Sequence, residues 1–218
     1  MRFNLANLDI FFSRIAGLSH VWQLFENKNQ LFQNTIDLFN LPENTDQNQV
    51  YEICVNYLLK QGVLHLHSSF VLCKDKALVF TGPSGIGKTT QAERWAQYRG
   101  SSIINGDIGF VQRTPQGYTA WGTPWHGSSP YCLNTSVPVK ALVVLKQAPE
   151  NRLRELTGFE KVREVSGSVF YPTWLENGME LCTDTLNHLL TDLPVYRLDN
   201  RADEAAVNLL AAELDRIT

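Results

Sequence analysis

Residues 77–90, ALVFTGPSGIGKTT, constrain this chain more than any other segment. An apolar run leads into a glycine-rich loop, which is followed by a lysine and two threonines. Residues 82–89 match the phosphate-loop pattern G-x-x-x-x-G-K-[ST]. Residues 77–80 predict a buried strand and residues 88–98 predict a helix, which is the setting in which this pattern binds phosphate. We therefore expect an α/β fold with the loop at the carboxyl end of a strand of the central sheet.

Each fixed position of this pattern has a mechanical role. The glycines let the backbone turn with positive φ, so that successive amide hydrogens point at phosphate oxygens. The Lys88 ammonium can reach the β and γ phosphates, and the Thr89 hydroxyl can ligate Mg²⁺. The expected ligand is a nucleoside triphosphate with Mg²⁺. The residues expected to hold it are Gly82, Pro83, Ser84, Gly85, Ile86, Gly87, Lys88, Thr89 and Thr90.

Composition narrows the class of protein. With 218 residues and 44% hydrophobic content, the chain can bury a sizeable core and is most simply one domain with elaborations. A formal net charge of −3 argues against a broadly basic surface for nucleic acid. Cys54, Cys73, Cys132 and Cys182 lie far apart, which suits a reducing cytoplasm and argues against a zinc site. No apolar run approaches the length of a membrane span, so we expect a cytoplasmic protein without a membrane partner.

Two further residues are predicted to lie near the loop. The alternation in residues 62–67 predicts a strand, and the polar turn at 74–76 predicts a hairpin that brings His67 close to the loop. Residues 101–107 predict a short strand that ends at Asp107. A carboxylate there can bind Mg²⁺, accept a proton from an attacking hydroxyl, or simply end a strand. By spacing alone, a structural role is the more common one for a lone histidine such as His67, and a functional role is the alternative.

The segment 121–134 is dense in Gly, Pro, Ser and aromatic residues. Loops of this kind carry binding more often than packing. Trp125, His126, Ser128 and Ser129 are therefore candidate substrate contacts. A rigid turn packed by Trp121 and Trp125 explains the composition equally well.

The remaining segments predict strands and helices that form the structural framework. Residues 139–146 predict a buried strand, and residues 149–162 predict a helix by their apolar spacing. Residues 175–189 predict a second amphipathic helix and residues 194–198 another strand. Asn200 is predicted to cap the final helix.

The order of these motifs resembles the HPr kinase and phosphoenolpyruvate carboxykinase superfamily. The matching elements are His67, residues 81–89 and Asn105-Gly106-Asp107, and the resemblance covers about residues 62 to 145. Together with residues 122–127, GTPWHG, they look like the small kinase-like proteins of this superfamily, including the lasso-peptide kinases. The resemblance implies a mixed central sheet flanked by helices. It also implies a kinase domain at 61–218, with residues 1–60 as an N-terminal elaboration packed on it.

The resemblance further implies ATP- and Mg²⁺-dependent phosphorylation of a serine or threonine hydroxyl on a peptide or small protein. Lys88 and Thr89 would serve phosphate and Mg²⁺, Asp107 would be the catalytic base and a metal ligand, and His67 would lie beside the transferred phosphate. Thr90 replaces the glutamate usual in HPr kinases, and Gly106 replaces the first of their paired aspartates, which argues against HPr itself as the acceptor. A small-molecule kinase would share every residue named, and a nucleotide-sensing module would share the loop. The sequence leaves the acceptor, the base preference and a homo-oligomeric state open.

Overall fold

The structure, a computed structural model, describes residue 56 and residues 58–123 and 127–217. This part of the chain forms a mixed sheet with helices against it, which confirms the α/β prediction. The strands are β1 (Val63–Cys73), β2 (Lys76–Thr81), β3 (Ile103–Asn105), β4 (Ile108–Thr114), β5 (Gly117–Trp121), β6 (Ser136–Gln147), β7 (Arg152–Glu155) and β8 (Val195–Asn200). The helices are α1 (Lys88–Arg99), α2 (Phe159–Val165), α3 (Gly178–Asp192) and α4 (Glu204–Leu214).

The sheet combines an antiparallel hairpin with a parallel centre. Strand β1 pairs antiparallel with β2, whereas β2, β6 and β8 lie parallel to one another. Strands β4 and β5 connect β1 to β6 through antiparallel pairings. Strand β3 pairs with β1, and β7 pairs with β8. Because β2, β6 and β8 are parallel, their carboxyl ends meet at one edge of the sheet, the position where α/β folds bind ligands.

Both faces of the central strands are buried. Val79 and Leu142 belong to an apolar layer that includes Leu186 of α3. Phe80 belongs to the opposite layer, which includes Trp95 of α1 at a ring-centroid distance of 6.3 Å. A parallel strand covered on both faces needs apolar residues at successive positions, which accounts for the continuous apolar run that leads into the loop.

Residues 149–162 do not form the predicted helix. Residues 152–155 form β7, which pairs antiparallel with β8, and α2 begins only at Phe159. Gly158 separates the two elements with a φ of 53°. Leu153 lies opposite Leu198, while Phe159 is 79% exposed. The helical prediction is wrong because the polar–apolar alternation at residues 152–154 also suits a short edge strand, and pairing with β8 decides between the two.

The final helix begins later than predicted. Asn200 ends β8, and its Oδ1 accepts a hydrogen bond from the Ala202 N–H at 2.8 Å. Asp203 is the residue that caps α4, because its Oδ1 accepts from the Ala206 N–H at 3.0 Å. Asn200 therefore stabilises the preceding turn, a common role for asparagine, and not the helix.

Several predictions concern residues that the structure does not cover. The N-terminal elaboration expected at residues 1–60 lies almost wholly outside the described residues. Of the four cysteines, Cys73, Cys132 and Cys182 are described, and these three are free thiols. None of the helices in the described ranges combines the length and apolar character that a membrane span requires.

Candidate functional site

The glycine-rich loop, residues 82–87, joins the carboxyl end of β2 to the first turn of α1. Gly82, Gly85 and Gly87 have φ values of 141°, 76° and 104°. Side chains disfavour these values, so the loop conformation depends on the three glycines. Helix α1 begins directly after Gly87, and its positive dipole end therefore lies at the loop. This local geometry is suited to binding an anion.

Lys88 is folded over the loop. Its Nζ donates hydrogen bonds to the carbonyl oxygens of Gly82 at 3.1 Å and Pro83 at 3.2 Å. The residue is only 6% exposed. Burial lowers the pKa of the Lys88 ammonium, and the nearby Asp107 carboxylate raises it. An ammonium that is partly removed from water interacts with an anion more strongly than a fully solvated one.

The expected hairpin of β1 and β2 is present and places His67 beside Asp107. Ser68 lies opposite Thr81 in the hairpin, and His67 lies opposite Ile108 of β4. The His67 Nε2 atom is 3.2 Å from Asp107 Oδ1, and the two side chains are 29% and 31% exposed. The Ser68 N–H also donates to the Asp107 carbonyl oxygen at 2.8 Å. The imidazole and the carboxylate thus form a half-buried pair at the start of the loop.

Lys88, Asp107 and His67 share one electrostatic environment. Burial lowers the pKa of His67, and the Lys88 ammonium lowers it further. Asp107 opposes both effects through its charge and its hydrogen bond. Because the net shift is downward, the imidazole is neutral at neutral pH and can donate a hydrogen bond to the carboxylate without carrying charge.

Asn105 shapes the turn that carries Asp107, a role that its position in the motif does not indicate. It is fully buried, and its Oδ1 accepts hydrogen bonds from the Asp107 N–H at 2.8 Å and the Ile108 N–H at 2.9 Å. Its Nδ2 donates to the Thr123 carbonyl oxygen at 2.9 Å. The Asn-Gly pair at 105–106 is the signal that could have revealed this turn.

Thr89 and Asp107 are the residues that could hold a divalent cation. Thr89 Oγ1 donates to the carbonyl oxygen of Gly106 at 2.9 Å, and Gly106 directly precedes Asp107. A hydroxyl and a carboxylate are oxygen ligands of the type that Mg²⁺ takes from a protein, with phosphates and waters completing its shell. This donor set fits Mg²⁺ that arrives with a nucleotide. Within the described ranges, no group of three or more His, Cys, Asp and Glu side chains is placed to hold a metal ion.

The candidate substrate residues of segment 121–134 are only partly described. Trp125 and His126 lie outside the described residues. Ser128 is exposed, whereas Ser129 is 9% exposed and lies against Gly106. Gly127 lies close to the site, because a Cβ built on it would overlap Asp107 Oδ2. The backbone of this segment therefore passes close to the carboxylate, which the sequence motifs do not indicate.

Comparisons with known proteins add one finding. No protein-family model matches the chain. No curated protein matches it. Among solved structures, the chain is similar to the HPr(Ser) kinase/phosphatase from Coxiella burnetii, with 12% sequence identity and a TM-score of 0.40. This similarity covers 70% of this chain and 93% of that one.

Proposed function

We propose that this protein is a Mg²⁺- and ATP-dependent kinase of the HPr kinase-like type. In this proposal it transfers the γ-phosphate to a serine or threonine hydroxyl of a peptide or small protein. The observation that supports it is the meeting of Lys88, Asp107 and His67 beside one glycine-rich loop. A phosphate anchor alone is expected of any nucleotide-binding module. A carboxylate next to that anchor, hydrogen-bonded to a neutral imidazole, can act as the base in phosphoryl transfer to a hydroxyl.

The proposed mechanism assigns one role to each group. The loop amides and Lys88 bind the phosphates, and Asp107 accepts the proton of the acceptor hydroxyl as its oxygen attacks the γ-phosphorus. His67 donates a hydrogen bond that orients the Asp107 carboxylate. Mg²⁺, held by Thr89 and Asp107, would supply positive charge to the phosphate oxygens. The bond to the β-phosphate oxygen breaks, so the products are ADP and a phosphoester. Catalysis comes mainly from positioning and charge neutralisation.

The peptide acceptor follows from the resemblance to small kinase-like proteins. Ser128 and Ser129, together with Trp125 and His126, are its proposed contacts. A small-molecule kinase would show ATP turnover that no peptide stimulates. A nucleotide-sensing module would bind ATP and transfer phosphate to no acceptor.

The decisive experiment compares Asp107→Asn with Lys88→Ala. The amide of Asp107→Asn preserves shape but cannot accept the proton, so phosphoryl transfer should fall by about two orders of magnitude while ATP stays bound. Lys88→Ala should instead weaken ATP binding itself, since it deletes the phosphate-binding charge. Titration of ATP with and without Mg²⁺ separates the two roles of Asp107, because a lost metal ligand lowers only the Mg²⁺-dependent affinity.

The control is Asp184→Asn, which removes an exposed carboxylate on α3 and should leave binding and transfer unchanged. An Asp107→Asn protein that transfers phosphate at the parent rate would contradict both roles of Asp107. A Lys88→Ala protein with the parent's ATP affinity would contradict the assignment of the loop.

A further inference from the structure

A cavity of about 340 Å³ opens beside the glycine-rich loop. Gly87 and Thr90 line one wall, and Gln147, Ala148, Asn200 and Arg201 line the other. The second wall consists of the carboxyl ends of β6 and β8, which lie parallel to β2. The volume falls within the range of about 300–1,000 Å³ that is typical of small-molecule sites.

The wall opposite the loop is held in place by hydrogen bonds. Asn200 is 7% exposed, and its Nδ2 donates to the Leu198 carbonyl oxygen at 3.1 Å. The Ala148 N–H donates to the Asn200 carbonyl oxygen at 3.1 Å. The Arg94 Nε of α1 donates to the Ala202 carbonyl oxygen at 3.0 Å, which ties the turn after β8 to the helix that follows the loop. A preformed wall lowers the ordering that a ligand must impose on binding.

The cavity and the His67–Asp107 pair lie on different sides of the loop. Thr89 donates its hydroxyl to Gly106, next to Asp107, whereas the neighbouring Thr90 lines the cavity. Successive residues of a helix project about 100° apart, which separates these two directions. A nucleoside triphosphate has the reacting phosphate at one end and the nucleoside at the other. If the γ-phosphate lies toward Asp107, the nucleoside extends toward Thr90.

We propose that this cavity binds the nucleoside half of the nucleotide, the base and the ribose. The proposal rests on the proposed function, because it assigns the remaining part of the same ligand. Gln147 brings a side-chain amide that can both donate to and accept from a base edge. Arg201 brings a planar guanidinium, paired with Asp203 Oδ2 at 2.9 Å, that can stack on a base. The loop binds the phosphates and the ends of β6 and β8 bind the nucleoside.

The test compares two ligands by calorimetric titration: ATP, and inorganic tripolyphosphate, which has the phosphates but no nucleoside. The parent protein should bind ATP more tightly. Ala148→Phe places a ring in the cavity and should lower the ATP affinity by about tenfold or more. It should leave the tripolyphosphate affinity unchanged, and this unchanged affinity also shows that the variant is folded. Gln147→Ala, which removes only a side chain at the rim, should lower the ATP affinity by about threefold.

The matched control is Ala212→Phe, which places the same ring on the exposed side of α4 and should change neither affinity. If Ala148→Phe and Gln147→Ala leave the ATP affinity at the parent value, the cavity proposal is overturned. It is also overturned if the parent binds both ligands equally and Lys88→Ala weakens both, a result that keeps the loop assignment. If the parent binds neither ligand, the proposed function fails together with the cavity.

Discussion

Gly127→Ala is expected to impair phosphoryl transfer by displacing Asp107. A Cβ on Gly127 would overlap Asp107 Oδ2 and lie 2.9 Å from its Cγ. Carbon atoms in contact are about 3.5–4.0 Å apart, so the carboxyl carbon must retreat by roughly 0.6–1.1 Å. A displacement of about 1 Å at a catalytic group can lower the rate about a hundredfold. The Asp107 side chain can rotate away at little cost to folding, so catalysis should suffer more than stability.

Gly100→Ala is the matched control. Gly100 has a φ of 63°, close to the 56° of Gly127, but a Cβ there would meet no heavy atom within 4 Å. Both variants should therefore lose a similar amount of stability, about 1 kcal/mol, from the left-handed conformation alone. Thermal unfolding measures this shared loss. Only Gly127→Ala should then lower phosphoryl transfer, while its ATP affinity stays close to that of the parent.

A second measurement on the same variant needs no acceptor. Asp107 raises the pKa of His67, so a displaced carboxylate should let that pKa fall further, which NMR titration of the imidazole nitrogens can follow. Equal turnover in the two glycine variants, together with an unchanged His67 titration, would refute the contact between Gly127 and Asp107.

Two further predictions concern histidine pKa values. The pKa of His67, measured by NMR, should lie below 6.5. Lys88→Ala should raise this pKa and Asp107→Asn should lower it. Shifts of the opposite sign would contradict the geometry of the site. Burial lowers the pKa of His65 to about 3, so the unfolded chain binds a proton that the folded chain cannot, and stability is lost as pH falls from about 6.5 toward 3. Between pH 7.5 and pH 4.5 this loss amounts to about 3 kcal/mol. His65→Leu should remove it from the pH dependence of unfolding, whereas Phe110→Leu, which changes a ring at a centroid distance of 4.3 Å from His65, should not. An identical pH dependence in the parent and His65→Leu would show that His65 gains its proton in the folded state.

Local sequence determined the strand, loop and helix of residues 76–99. The apolar run at 77–80, the glycines of the loop and the lysine that follows act through neighbours in sequence, so their pattern is readable without a fold. The hairpin was equally predictable, because the short polar turn at 74–76 leaves two apolar segments little choice of partner. Local sequence also predicts which residues form the loop and that His67 lies near it.

Tertiary structure alone decided which residues meet. The register between β1 and β4 sets His67 beside Asp107, and Asn105 acquires its role because Thr123, distant in sequence, meets its side chain. Strand β7 replaced a predicted helix because β8 offers it a hydrogen-bonding edge. Strand pairing, burial and the pKa shifts that follow depend on contacts between distant segments, whereas periodicity and turn signals report only on adjacent ones. For the same reason the cavity at the ends of β6 and β8 has no signature in the sequence, and it exists only because those strands lie parallel beside β2.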